Sequence, residues 1–223
     1  MATTTNFGWT TPDDTALVKN GASAIRTLGS AIDTSFVDLK GGTTGQVLKK
    51  TSGTDLDFEW GTASSGMTLI STTTFSGVGS QSFNSVFSST YRNYKILVNV
   101  ASATGQVELL FRMRASGTDA SGANYHSQLI TGDSTSVAGE RVGSATSGTF
   151  AQINNQQCGI EATFYKPFEA VRTTATILNM NQVSDIRVRT LGVMHSLATS
   201  YDGFTLTCTQ NITGEVSIYG LAV

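Results

Sequence analysis

The pattern of hydrophobic and polar residues divides this chain into regions of different character. In residues 67–223 apolar residues often occupy every second position, as in the segment Val107–Met113. A period of two is typical of β-strands with one buried face. Segments of this kind are Met67–Phe75, Gln81–Phe87, Tyr94–Val100, Val107–Met113, Ile160–Phe164, Val171–Met180, Ile186–Val193, Phe204–Cys208 and Val216–Leu221. The sequence therefore predicts an all-β C-terminal domain, a jelly-roll-like β-sandwich of two sheets with about eight to ten strands.

Residues 1–40 instead repeat their apolar residues with a period of seven. The positions of this seam are Val18, Ile25, Leu28, Ile32 and Leu39. Such spacing predicts a helix with a narrow apolar stripe, which favours self-association, for example as a trimeric coiled coil, or docking on another protein. An amphipathic helix that packs on its own domain explains the same pattern. Thr11 and Pro12, followed by two aspartates, are typical of a helix start and predict that the helix begins there.

Residues 41–66 have the Gly, Ser and Thr content of a linker but also contain a β-like pattern. Leu56, Phe58 and Trp60 alternate with acidic residues, which places the three apolar side chains on one face of an extended strand. A free linker has no need for two aromatic residues on one face. We therefore expect a small β-structure here that closes on copies of itself, between a 1–40 segment and a 67–223 head.

The composition restricts the function more than it defines it. Only 13% of residues are charged, and from residue 67 onward nine acidic residues balance nine basic ones. Nucleic-acid binding requires clustered Lys and Arg, so we expect no nucleic-acid partner. The longest apolar runs are too short to cross a bilayer, and the first residues lack the features of a signal peptide. We therefore expect synthesis in a cytosol, with Cys158 and Cys208 as reduced thiols.

At its N-terminal end the sequence resembles a known class of proteins. The motif Phe7–Thr15, followed by Val18–Ala22 and Ile25–Gly29, resembles the virion-attachment segment of tailed-bacteriophage tail fibres and minor structural proteins. Gly42–Lys50 together with Phe58–Trp60 is similar to the short repeat in the shafts of such fibres.

The last part of the chain resembles the same class more loosely. Phe111–Gly117 and Gly214–Gly220 are similar to fibre head domains. The resemblance implies a homotrimer that is made in the bacterial host cytoplasm, attaches to other tail or baseplate proteins of the virion through its N-terminus, and binds the host surface through its head. The chain departs from long fibres in having a single repeat and almost no shaft.

The residues show no pattern for a catalytic, metal or cofactor site. Neither His126 nor His195 has a neighbouring metal-ligand motif, and the signatures of nucleotide binding are missing from the sequence. The acidic residues of the head are scattered, whereas glycoside hydrolysis requires a pair of carboxylates in a groove. We therefore expect no enzyme activity and no cofactor. Arg112 with Arg114, and Arg187 with Arg189, share strand faces and are interpreted as surface or inter-subunit ion pairs; the alternative is a site for a sugar acid or a phosphate.

If the head binds a host glycan, the site is expected on a loop far from the N-terminus. Tyr125 and His126 precede the Gly- and Ser-rich stretch Thr131–Gly148, which indicates a long exposed loop or mobile hairpin. An aromatic face beside hydrogen-bonding groups suits a sugar ring. The alternative is that Tyr125 packs beneath a surface loop without a ligand.

Three functions remain open at this point. The first is a trimeric tail fibre or spike that binds a host-surface glycan. The second is an adaptor or capsid-decoration (head fibre) protein that serves as a docking platform for other virion proteins. The third, least favoured, is a polysaccharide-degrading tailspike.

Overall fold

The computed structural model describes residues 2–15, 17–63, 66–182 and 186–222. The chain divides into two compact units, Met1–Ser64 and Ser65–Val223. Unit 1 contains the helix and two small β-hairpins, and unit 2, the head, consists of β-strands. The prediction of a mainly β protein with an N-terminal helix is confirmed. The division falls close to the predicted start of the head at residue 67.

Unit 1 is built from short elements. They are β1 (Ala2–Thr3), β2 (Thr10–Thr11), a 3-10 turn (Val18–Asn20), α1 (Gly21–Ser35), a second 3-10 turn (Val37–Leu39), β3 (Gln46–Lys50) and β4 (Phe58–Thr62). Strand β1 pairs with β2 and β3 pairs with β4, both antiparallel. The predicted segments 1–40 and 41–66 thus lie within one compact unit, and the Phe58 backbone N–H donates to Asp38 at 3.3 Å.

The helix is shorter than the sequence predicts. Thr11, expected to cap the helix, pairs with Ala2 in the first hairpin, and α1 begins only at Gly21. The Asp13 carboxylate accepts a hydrogen bond from the Thr15 hydroxyl at 2.9 Å, so the capping chemistry stabilises a turn instead of a helix terminus. Val18 and Leu39, the outermost seam positions, consequently lie in the flanking 3-10 turns.

Aromatic residues connect the first hairpin to the end of α1. The Trp9 ring stacks on Phe7 with a centroid distance of 5.0 Å and meets the edge of Phe36 at 6.0 Å. The Trp9 indole N–H donates to the Ser35 hydroxyl at 3.0 Å. The motif around Trp9 therefore has a structural role within unit 1, because it holds the last turn of the helix.

The second hairpin corrects one further prediction. Leu56 has a φ of +62° and precedes the strand, so it does not continue the face of Phe58 and Trp60. Strand β4 also finds its partner, β3, in the same chain. The Trp60 ring lies directly against Gly42, where a Cβ would come within 2.7 Å of the ring. A glycine is required at this position by both the contact and its φ of +82°.

The head contains eleven strands within the described residues. They are β5 (Met67–Phe83), β6 (Asn93–Ala103), β7 (Val107–Ala115), β8 (Thr118–Asp119), β9 (Tyr125–Asp133), β10 (Ser136–Ala145), β11 (Gly148–Ile153), β12 (Cys158–Tyr165), β13 (Arg172–Gln182), β14 (Ile186–Ala198) and β15 (Gly203–Leu221). Hydrogen bonds link them into one antiparallel sheet in the order β10, β9, β14, β13, β12, β6, β15, β7, β11, with β5 also paired to β15 and β8 to β7.

The sheet curls because β15 changes partners along its length. Its second half, from Ile212 onward, lies between β6 and β5, whereas residues 203–207 lie between β7 and β5. The curl brings β11 across the interior, where the Thr149 N–H donates to Ser127 of β9 at 3.2 Å. The single hydrogen-bonded sheet thus encloses its own core.

The core of the head is dominated by aromatic rings. Phe164 contacts Phe87, Phe111 and Phe204 at centroid distances between 5.2 and 6.0 Å. All four side chains are at most 2% exposed. Burying each contributes roughly 1.5–3 kcal/mol relative to an exposed position. The inward positions of β13 and β14 complete the core, as their alternating burial shows.

The predicted strands correspond to observed ones, with three differences. Two pairs of predicted segments merge into the long strands β5 and β15, because the residues between them form bulges and not turns. Strands β8, β9 and β11 are not among the predicted segments. Strand β10 lies in the stretch Thr131–Gly148 and forms a hairpin with β9, so the hairpin interpretation holds and the loop interpretation is wrong.

Candidate functional site

The helix α1 has no buried residue, which makes it the clearest candidate for a contact surface. Ile25 is 66% exposed and Ile32 is 36% exposed, and these two side chains lie one above the other, seven residues apart. Leu28, between them, is half-buried. The apolar stripe is therefore divided: one half turns toward the hairpin of Trp9 and the other half is exposed.

The residues that face their own unit are small. The half-buried positions of α1 are Gly21, Ala24, Leu28, Ala31 and Ser35. Apart from Leu28 these side chains bury little apolar surface, so the interaction of α1 with its own unit is weak. Leu28 packs on its own unit, as the second interpretation of the stripe expects, while Ile25 and Ile32 are exposed. Self-association or docking through the stripe stays a prediction.

The outermost seam residues are also exposed. Val18 is 96% exposed and Leu39 is 42% exposed. The Gly41–Gly42 pair that follows has φ angles of +91° and +82°, so the chain turns sharply there and leaves Leu39 at the end of the stripe. The exposed apolar residues of unit 1 thus extend from one 3-10 turn, along α1, to the other.

The predicted ligand site at Tyr125 does not fit the structure. The Tyr125 side chain is completely buried, and its ring meets the edges of Phe111 and His195. Its hydroxyl donates to the Ala120 carbonyl and accepts from the Met113 N–H, both at 2.8 Å. Burial raises the pKa of the phenol. Tyr125 is therefore a core residue, because alternation along β9 points its side chain inward.

His126 lies on the opposite, outer face of β9. Its Nδ1 atom accepts a hydrogen bond from the Ser144 N–H at 3.4 Å. It borders an open groove of about 370 Å³ together with Arg141 and Met194. The structure therefore separates the two residues of the predicted glycan site onto opposite faces of the sheet. A ligand role for His126 alone stays a prediction.

His195, interpreted as a structural histidine, is buried beside Tyr125. Its Nδ1 atom lies 3.2 Å from the Tyr201 hydroxyl, and its ring is only 2% exposed. Burial lowers the pKa of the imidazole. The two tyrosines and the histidine form a compact buried cluster that connects β9, β14 and the loop at Tyr201.

The four arginines singled out by sequence bond within their own chain. Arg189 is buried and donates to both carboxylate oxygens of Glu108 at 2.8 and 2.9 Å, while Arg187 pairs with Asp133. Arg114 pairs with Asp119, and Arg112 donates to the Thr146 carbonyl at 3.1 Å. Three of the four arginines are thus ion-paired within the chain, because the curl of the sheet brings their partners next to them. A role between subunits stays a prediction.

A polar network that includes the Arg189–Glu108 pair lies at the end of strand β11, where the Gln152 side chain donates to Glu108 at 3.2 Å. The Asn179 side chain accepts from the Gln152 N–H at 3.1 Å and donates to the Cys158 sulfur at 2.9 Å. Burial raises the pKa of the Cys158 thiol to about 11. Cys158 is therefore a protonated, unreactive thiol at neutral pH. Both Cys158 and Cys208 are free of disulfide bonds in the structure.

Five carboxylates in the described part of the head form ion pairs with basic side chains of the same chain. Glu108, Asp119 and Asp133 pair with arginines, Glu161 with Lys95, and Glu169 with Arg92 and Lys166. Asp185 lies outside the described residues. Within the described part of the chain, no group of three His, Cys, Asp or Glu side chains has the arrangement of a metal site. In the same part, no helix is long and apolar enough to span a membrane.

No family model, curated protein or solved structure matches the chain.

Proposed function

We propose that this protein is a non-enzymatic structural subunit of a tailed-phage virion, a homotrimeric fibre or spike. In this proposal unit 1 attaches to the particle and associates with copies of itself, and the head meets the host surface. We also propose that the head is a jelly-roll-like sandwich of two sheets. The hydrogen bond from Thr149 of β11 to Ser127 of β9 supports this arrangement.

The observation that carries the proposal is the exposed stripe of α1. A helix of 15 residues is marginally stable in water by itself, and most helices are stabilised by packing one face. Here Ile25 is 66% exposed and Ile32 is 36% exposed, so the described residues of the chain cover this face only in part. Residues seven apart pack well against the same residues of a parallel copy, because each turn then meets an equivalent turn.

The number of copies is inferred from the sequence resemblance and not from the spacing of the seam. By themselves, Val and Ile at one seam position with Leu at the other favour two chains. Three copies are what the resemblance of the Phe7–Thr15 motif to fibre attachment segments implies. The structure of that motif, in which Trp9 holds the end of α1, supports a link between attachment and helix association.

The low charge content supports a structural role in an assembly. Only 13% of residues are charged, and the ionic groups of the head are largely neutralised within the chain. Such a surface suits persistent contacts between subunits better than reversible contacts with charged partners. An adaptor or capsid-decoration protein has the same properties, and the two functions differ in what covers the head.

Light scattering coupled to size exclusion tests the proposal. The full chain is expected to have three times the 23.5 kDa mass of one chain. Replacing Ile25 and Ile32 together by Asp is expected to give a monomer, because it places charges in the seam. Ser30→Asp is the matched control, since Ser30 is exposed on the opposite side of α1. A monomeric wild-type chain at micromolar concentration contradicts the proposal.

The virion location needs a second experiment. Antibodies against the head should label the tail of intact particles if the protein is a fibre or spike. Labelling of the capsid favours the decoration function. Loss of adsorption to host cells when the protein is absent supports host binding, and normal adsorption favours the adaptor.

A further inference from the structure

We infer that the outer face of the head carries a second self-association surface, against which another copy of this chain packs. The surface is formed by Ile130, Val137, Leu178, Met180 and Val188, here called the outer patch. These five side chains are 38–77% exposed. The inference rests on the proposed trimer and names the part of the head through which the copies meet.

The pairing of the strands makes the outer patch contiguous. In one row across the sheet, Val137 lies opposite Gly132, which lies opposite Val188, which lies opposite Met180. In the adjacent row Ile130 lies opposite Thr190, and Thr190 lies opposite Leu178. Directly paired residues point to the same face of a sheet. The five apolar side chains therefore form a single patch across β10, β9, β14 and β13.

The patch has no charged side chain within it. The outward positions of β13 are Arg172, Thr174, Thr176, Leu178, Met180 and Gln182. Only Arg172 is charged, and it lies at the far end of the strand from Met180. Glu161 lies directly opposite Leu178 on β12 and is paired with Lys95 at 2.6 Å, and Glu215 lines the groove beside the patch. The five side chains of the patch themselves offer no charge to a nucleic acid or a charged protein partner.

Beside the patch the surface is concave. Gly159 lies opposite Met180 on β12 and has no side chain, so a groove of about 500 Å³ opens between Met180 and Leu97. Tyr219 and Leu178 also line this groove. An apolar ridge next to a groove allows side chains of a second surface to interdigitate with it.

The size of the patch fits a contact between subunits. Five partly exposed apolar side chains present on the order of several hundred Å², near the upper limit for a monomeric protein. An interface of standard size buries about 800 Å² per partner. The outer patch therefore accounts for the apolar centre of such an interface, with the Thr-rich surface around it as the rim.

In the proposed trimer, association through α1 holds a second copy of the chain close to this surface. Strand β4 ends at Thr62 and β5 begins at Met67, so four residues separate the end of unit 1 from the first strand of the head. Copies associated through α1 hold their heads at a high effective concentration, in the millimolar range for short linkers. At this concentration even a weak apolar contact between heads is occupied.

Methionine oxidation of the purified full-length protein tests the inference. Met180 is 53% exposed and Met67 is 44% exposed in a single chain, so hydrogen peroxide should oxidise both at similar rates if the heads are apart. If the outer patch is covered by a second copy, Met180 is expected to react roughly fivefold more slowly than Met67, measured by mass spectrometry of peptides. Equal rates in a protein that is trimeric by light scattering overturn the inference and leave the trimer intact.

Two variants separate this inference from the proposed function. Val188→Glu places a charge in the patch on an outward position, and it should raise the oxidation rate of Met180 to that of Met67 without changing the mass. Thr174→Glu, at an exposed position of β13 outside the patch, is the control and should leave Met180 protected. The Ile25→Asp, Ile32→Asp variant should expose Met180 by separating the copies. Protection of Met180 in this variant when it is monomeric overturns the inference, and a monomeric wild-type protein overturns both proposals.

Discussion

The head buries its apolar residues in a core, whereas the helix of unit 1 leaves apolar residues exposed. In the head, the inward side chains of β13 and β14 are buried in strict alternation, and the aromatic core around Phe164 is inaccessible to water. In unit 1, α1 has no buried residue, and Ile25 and Ile32 are exposed. The head thus buries its apolar residues within its own chain, whereas α1 leaves apolar surface exposed.

The difference explains which part of the protein a substitution will affect. Changes in the head are expected to act on the stability of one chain, and changes in the stripe of α1 on association. The two units can be followed separately, because both tryptophans, Trp9 and Trp60, lie in unit 1 and most of the β-structure lies in the head. Tryptophan fluorescence therefore reports unit 1, and far-ultraviolet circular dichroism reports mainly the head.

The largest effect is expected from Phe164→Ala in the core of the head. Removing a buried ring leaves a cavity and lowers the free energy of unfolding by about 3–5 kcal/mol. The midpoint of urea unfolding measured by circular dichroism should fall, while the fluorescence transition of unit 1 stays in place. Phe7→Ala is the comparison in unit 1, where the ring is 45% exposed. If both signals shift together for Phe164→Ala, the two units unfold as one.

Much of this division follows from the sequence, because the two periods differ. The alternation in Val107–Met113 identifies β7, and the seven-residue spacing of Ile25 and Ile32 identifies the exposed side of α1. Both patterns depend on neighbouring residues along one element. They say which side chains share a face, and this part of the interpretation agrees with the structure.

What the sequence could not show are the contacts made across the fold. Tyr125 begins a strand with one polar neighbour on each side, and only the packing of Phe111 and His195 against it reveals that it is buried. Strand β10 is rich in glycine and serine and is exposed on nearly its whole length, so its pairing with β9 leaves no periodic signal. The partners of Arg187 and Arg189 lie on other strands that are distant in sequence.

The same substitution, Gly→Ala, should have opposite effects in the two units. At Gly203 a Cβ would lie 2.0 Å from the Phe83 carbonyl oxygen, so Gly203→Ala must displace β5 and should destabilise the head by about 1–3 kcal/mol. At Gly29, inside α1, no atom lies within 4 Å of the added Cβ. Gly29→Ala should therefore stabilise the helix by about 0.5–1 kcal/mol. Urea unfolding followed by the two signals checks both, and a destabilised Gly29→Ala variant would indicate close packing on that side of α1.

Ion pairs should show the same contrast with smaller effects. Glu108→Gln leaves the buried Arg189 guanidinium without its counter-charge and should cost about 1–2 kcal/mol of head stability, because Glu108 itself is partly exposed. Glu59→Gln in unit 1 breaks an exposed pair with Lys49 at 3.0 Å and should have no measurable effect. Denaturant titration at low and high salt distinguishes them. Equal costs at both sites would show that burial of Arg189 does not strengthen its pair.

The smallest effect concerns pH, and it should be confined to the head because residues 1–64 contain no histidine. Burial against Tyr125 and Tyr201 lowers the pKa of His195 in the folded chain, whereas an unfolded histidine titrates at about 6.5. The unfolded state therefore binds the proton more readily, so the contribution of His195 to stability is complete above about pH 6.5 and decreases as the pH falls from there through the lowered pKa. Urea unfolding by circular dichroism should show a lower midpoint at mildly acidic pH than at neutral pH. His195→Gln should remove this dependence, and His126→Gln, the other histidine of the head, should retain it. A dependence that survives His195→Gln would have to arise from another group, such as the Glu169 carboxylate, whose pKa is lowered by its hydrogen bond from Arg92, instead of the buried imidazole.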